Sequence, residues 1–139
     1  MTTGIIVFAH GSRLEPANEA VRAVARRLAE SGGFETVEAA FLELGEPSLE
    51  GAVASLVARG IRDLLVVPYF LTLGIHLERD LPRIINKIGA RFGGVTMRAA
   101  APLDGHPALV QVLLDRVSAA IGTAEKNKLE PASERQPRR

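Results

Sequence analysis

The sequence predicts a single α/β domain: a four-stranded parallel sheet of flavodoxin-like order, 2-1-3-4, flanked by helices. Three observations predict it. Four short apolar runs, GIIVFA, TVEAAFL, DLLVVP and VTMRAAA, lack the clean alternation of half-exposed strands, so each reads as buried on both faces. Each is followed by a helical stretch, giving the order βαβαβαβα that builds a parallel sheet through crossovers. A chain of 139 residues, 47% hydrophobic and 24% charged, suits one soluble domain and is short for two. Right-handed crossovers then favour 2-1-3-4.

The elements follow in order. Residues 4–9 form the first strand and run into a polar loop, HGSRLEP. Pro16 opens a helix in which Val21, Val24, Ala25 and Leu28 share one face, and Gly32–Gly33 ends it. Residues 36–42 make the second strand. Pro47 and Ser48 open a second helix running to about Arg59, capped by Gly60. Residues 63–68 form the third strand, followed by an apolar loop, YFLTLGI. His76 heads the third helical stretch, HLERDLPRIINKIGARF, and Pro82 inside it moves the expected helix start toward Leu81. Residues 95–101 form the fourth strand, and Pro107 begins the last helix.

Composition narrows the chemistry. The chain has no cysteine, so disulfides, thiolate ligands and cysteine nucleophiles are excluded, and any metal must be held by nitrogen and oxygen. No apolar run reaches the ~18 residues of a membrane span, and the start of the sequence lacks signal-peptide features, so the cytoplasm is expected. The pI is near 8.2. Its basic excess lies in residues 123–139, which carry five basic and three acidic residues and leave 12 basic and 13 acidic in residues 1–122. With 4% aromatic residues besides, no nucleic-acid partner is expected. The expected domain therefore spans 1–122, and 123–139 reads as a disordered charged tail.

Open parallel sheets bind ligands beyond the carboxyl ends of their strands, where the strand order reverses. In a 2-1-3-4 sheet that point lies between strands 1 and 3. His10 follows strand 1, Glu43 follows strand 2 and His76 follows strand 3 after a seven-residue loop, so all three reach one edge. Imidazole and carboxylate are suitable ligands for first-row divalent ions, and three protein ligands leave positions open for an ion that must react or depart. A histidine can also take a proton near neutral pH. Each residue taken singly has an ordinary alternative: a hydrogen-bonded loop histidine, a partner for Glu78 or Asp80, a solvated carboxylate. The third histidine, His106, precedes Pro107 and reads as a capping or surface residue. Phe70, Leu71 and Leu73 of the apolar loop could cover a flat ligand or merely plug the core.

At these residues the sequence resembles a known family. FAHGSR after the first strand, FLELGEPSL after the second and VVPYFLTLGIHLERDLP after the third are similar to the sirohydrochlorin chelatases, in their short single-domain CbiX form. The segment PLDGHPALVQVLLDRV extends the resemblance, which covers roughly residues 4–121. It implies a chelatase-like domain and an ATP-independent class II chelatase, a lyase that inserts Co²⁺ or Fe²⁺ into sirohydrochlorin for cobalamin or sirohaem synthesis. It implies that His10 and His76 bind the metal, with Glu43 at the acidic position beside them. No cofactor is implied beyond the substrate metal, whether Co²⁺, Fe²⁺ or Ni²⁺. Longer relatives carry two such domains around one cleft, so a homodimer is implied here. Because the substrate is a polycarboxylate, Arg13 and Arg79 become candidate rim contacts, with Phe70, Leu71 and Leu73 lining the cavity.

Two other readings stay open. A non-catalytic metal or tetrapyrrole carrier could use the same three ligands, and only turnover separates it from a chelatase. Histidine phosphatases also place a His after the first strand, but with Arg directly before it. Here Ala9 precedes His10, and the Arg stands at position 13.

Overall fold

The computed structural model describes residues 2–129. In chain order the elements are β1 (Thr3–Ala9), α1 (Glu15–Gly32), β2 (Val37–Phe41), α2 (Leu49–Ala58), β3 (Asp63–Pro68), α3 (Ile75–Arg91), β4 (Thr96–Ala99) and α4 (Ala108–Leu129). The sheet order is β2-β1-β3-β4 with every pair parallel, as the sequence predicts. The body formed by β1 through β4 ends at Leu103, and α4 belongs to a separate compact unit beginning at Asp104.

Burial explains the arrangement of the body. β1 is buried from Gly4 to Ala9, as a central strand covered on both faces should be. One side of the sheet packs Ile6, Phe8, Leu64 and Val66 against Leu56 of α2 and Leu81, Ile85 and Ile88 of α3. The other packs Val7, Ala9, Ala39 and Phe41 against Ala25, Val21 and Leu28 of α1. β3 departs from the expected continuous burial: Leu64, Val66 and Pro68 are buried, while Asp63, Leu65 and Val67 between them are only partly covered.

The helix ends follow local chemistry. Pro16 occupies the first turn of α1, and Gly33 closes that helix in the left-handed region at φ 67°. Ser48 caps α2 by accepting the Gly51 N–H at 3.1 Å.

Two boundaries differ from expectation. α3 begins at Ile75, not near Leu81, and carries Pro82 within it. Leu77, Leu81, Ile85 and Ile88 keep a helical apolar spacing across the proline and pack on the core, so burial outweighs the one missing backbone donor. α4 continues to Leu129, past the expected domain limit at 122. Ala124, Glu125, Lys126, Lys128 and Leu129 are good helix formers, and no Pro or Gly interrupts them. The rest of the expected tail, 130–139, lies outside the described residues.

Candidate functional site

β1 and β2 do not part where their strands end. The Leu42 N–H donates to the Ala9 carbonyl at 2.9 Å, and the Glu43 N–H donates to the His10 carbonyl at 3.1 Å. This ladder carries the two loops upward together and sets His10 beside Glu43. Gly11 permits the approach. Its φ is 94°, and a Cβ there would lie 1.7 Å from the Glu43 carbonyl oxygen, so no side chain fits.

The result is a paired donor set. His10 Nε2 lies 3.5 Å from Glu43 Oε1, with both side chains more than half exposed. His10 Nδ1 lies 3.1 Å from the Gly11 carbonyl oxygen. A carbonyl cannot donate, so this contact needs the proton on Nδ1, and in the neutral imidazole Nε2 is then the ligand nitrogen on the Glu43 side. Two ligands each about 2.1 Å from a tetrahedral first-row ion stand about 3.4 Å apart. The observed spacing therefore fits one shared divalent cation, with the remaining coordination positions open.

His76 stands apart from this pair. It lies in the first turn of α3, exposed, with its Nδ1 3.3 Å from an Arg79 guanidinium nitrogen. Arginine only donates, so a neutral His76 in this arrangement holds its proton on Nε2. Among the described residues no three His, Asp or Glu side chains are close enough together to hold an ion. The structure thus brings together two of the three residues singled out in the sequence, on loops tied by backbone hydrogen bonds. The third sits beyond the longer loop after β3.

The other candidates separate as well. Arg13 is exposed in the His10 loop. Arg79 is also 3.9 Å from Asp80. Phe70 is half-buried and tilts against Phe8, with ring centroids 5.9 Å apart. Leu73 packs on the core and walls a cavity of about 330 Å³ with Leu81, Ile85 and Met97. These two residues anchor the loop, whereas Leu71 is 66% exposed. His106 accepts the Ala108 N–H at 3.0 Å and so caps α4, as its sequence position suggested.

Sequence reasoning found the apolar loop 69–75 but missed Leu14, Leu42 and Leu44, which are exposed beside it at the same edge. Leu14 after β1, Leu42 and Leu44 after β2, and Tyr69 and Ile75 after β3 are all exposed large apolar residues, and with Leu71 they follow the ends of the three strands that carry the site. Exposed apolar residues gathered at one edge are a common feature of binding faces. It also missed Asn18, which is buried in α1.

Among known proteins, a sirohydrochlorin cobaltochelatase of Methanopyrus kandleri is 30% identical over 138 residues, covering 85% of this chain and 96% of that protein. The chloroplastic sirohydrochlorin ferrochelatase of Arabidopsis thaliana is 33% identical over 122 residues, covering 88% of this chain and 54% of that longer protein. The solved structure of a CbiX protein from Marinobacter aquaeolei VT8 matches at 35% identity with a TM-score of 0.78, over 87% of this chain and 98% of that one. The CbiX family model itself matches residues 4–120, nearly the whole of the described chain, and this chain belongs to the CbiX family.

Proposed function

We infer that this protein is a sirohydrochlorin chelatase, a lyase that inserts a divalent metal, Co²⁺ or Fe²⁺, into the macrocycle without ATP. Its relatives carry that activity in their names. The observation on this chain that carries the reading is the His10–Glu43 pair, spaced for one ion at 3.5 Å beyond the carboxyl ends of β1 and β2, next to the β1–β3 gap where the strand order reverses.

The reaction exchanges one M²⁺ for two pyrrole N–H protons. In this reading His10 Nε2 and Glu43 take the ion as it sheds water. One neutral and one anionic ligand leave it a net positive charge, which favours its transfer to a ring that becomes a dianion as its protons leave. In this reading Glu43, freed as the ion departs, accepts one of those protons and a histidine of the site, His10 or His76, accepts the other, both then passing to water. His76 completes the set from the facing loop as ligand or base. That role requires Arg79 to leave its Nδ1, and the carboxylates of the substrate rim are suitable acceptors for Arg79 and Arg13. The exposed leucines and Tyr69 give the flat face of the ring an apolar surface. No resident cofactor is needed beyond the substrate metal.

A homodimer and a cytoplasmic location belong to the same proposal. One rim covers one face of a macrocycle and leaves the other in water, where metal-site electrostatics are screened. A second copy related by a two-fold axis supplies the missing wall. Among the described residues no helix is long and apolar enough to cross a membrane.

The test is turnover. Purified protein with sirohydrochlorin and Co²⁺ or Fe²⁺ under anaerobic conditions should convert many equivalents, followed by absorbance. His10→Ala and His76→Ala should each abolish insertion while the protein stays folded, because both side chains are exposed. Glu43→Gln should slow it at least about tenfold. Stoichiometric binding that stops after one equivalent would instead identify a carrier.

A further inference from the structure

We propose that Asn18 is the positioning residue of this site: its buried carboxamide clamps the His10 loop to the Glu43 loop and fixes the spacing of the metal pair. The proposal rests on the chelatase reading above for its catalytic consequence, but not for its structural one.

Asn18 occupies an inward position of α1 and is 1% exposed. An amphipathic helix ordinarily places an apolar side chain there, as α1 does with Ala25. A buried amide is costly unless its hydrogen bonds are made. Those of Asn18 are made to the two site loops. Oδ1 accepts the Ser12 N–H at 2.8 Å. Nδ2 donates to the Ser12 carbonyl at 2.8 Å and to the Leu44 carbonyl at 3.1 Å. It also lies 3.3 Å from Glu15 Oε2. Ser12 is two residues beyond His10, and Leu44 is next to Glu43. One rigid side chain thus grips both loops immediately behind the two metal-facing residues.

The surrounding backbone is shaped for this grip. Leu44 has φ 58°, the left-handed region that a leucine rarely adopts. Such a conformation persists only where its surroundings over-determine it, and the Asn18 bond to its carbonyl does so. Gly45 leaves room for the amide, since a Cβ there would meet the Phe41 ring at 2.8 Å and Asn18 Nδ2 at 3.1 Å. Arg22, one turn further along α1, holds the same loop a little further on, donating to the Glu46 carbonyl at 2.9 Å and lying over the Phe41 ring.

The full-length protein with Asn18→Ala tests the clamp on three readouts. Without metal, the Glu43 amide hydrogen, held by the His10 carbonyl, should exchange at least about tenfold faster, as local opening of the loop pair becomes easier. In Co²⁺ titrations followed by visible absorption, affinity should fall about tenfold to a hundredfold, the range for residues that orient metal ligands. In the insertion assay kcat should fall similarly, while KM for sirohydrochlorin stays within about twofold. If Asn18→Ala does not fold, Asn18→Asp takes its place: it keeps the shape and the Ser12 N–H acceptor but turns a carboxylate oxygen toward two carbonyls. A folded variant with wild-type amide exchange, Co²⁺ affinity and kcat overturns the proposal. Failure of the chelatase reading looks different: the wild-type protein would not insert Co²⁺, while the Glu43 exchange rate would still report on the clamp.

Discussion

Gly11→Ala is the smallest change that should separate His10 from Glu43 without touching either side chain. Two costs arise together. The φ of 94° at residue 11 is open to glycine and strained for alanine, costing about 1–2 kcal/mol. The added Cβ would lie 1.7 Å from the Glu43 carbonyl oxygen, and that atom is backbone, so no rotamer relieves the clash. The loops must part by more than about 1 Å before ordinary contact is restored. The bond from the Glu43 N–H to the His10 carbonyl, 3.1 Å in the protein, breaks on the way. Donors 3.5 Å apart would then open beyond the ~4.2 Å that two ligands can span through one ion even in a linear arrangement. Misplacement on this scale costs about a hundredfold in rate. The assay pairs thermal unfolding with anaerobic Co²⁺ insertion into sirohydrochlorin. The expected result is a folded protein, a modestly lowered Tm and insertion reduced about a hundredfold. Insertion and Co²⁺ affinity within about twofold of wild type would refute the argument that the close passage of these two loops sets the site.

Two further outcomes are expected. Arg13→Gln with Arg79→Gln should weaken sirohydrochlorin binding more at low than at high ionic strength, because exposed charges are screened over about 10 Å at 0.1 M salt; equal KM for the double variant and wild type at both ionic strengths would remove the rim role. Sedimentation at micromolar concentration should give a two-fold dimer whose Leu71 positions crosslink, and a dilute monomer turning over at full rate would exclude the shared cavity.

The sheet was legible because its signals are local and repeated. The strand-forming runs and the helical stretches between them fix the order βαβαβαβα, and handedness does the rest. β3 matched its expected limits at Asp63–Pro68. What misled was punctuation read one residue at a time. Pro82 looked like a helix start, yet the apolar spacing from Leu77 to Ile88 runs through it and is buried. The proposed edge at 122 was a change in composition, and composition alone does not stop a helix: α4 runs to Leu129.

The candidate site was legible to the extent that topology determines it. Strand order sets His10 beside Glu43, because the residues following adjacent parallel strands must emerge side by side, although the expectation from the sequence pairs His10 with His76. Strand order does not set their separation, since it depends on Gly11 admitting a carbonyl and on Asn18 holding two loops. In the sequence Asn18 is a polar residue in the polar first turn of an amphipathic helix, indistinguishable from its neighbours Glu15 and Glu19. Only burial sets it apart, and burial of that position follows from where the loop after β2 folds back. The same holds for Leu42 and Leu44. The expected strand runs to Leu42 and leaves Leu44 unassigned, but the strand ends at Phe41 and both leucines are exposed. His76 marks the limit of the topological rule. A loop of several residues separates it from β3, long enough for the rule to choose the edge of the sheet and too long for it to choose a distance. The position of His76 is then set by local contacts at the start of α3, of which the bond from Arg79 is one. The residues closest to their strands are therefore the ones found at a spacing that suits an ion, and His76, at the end of the long loop, is the one whose place the strand order does not determine.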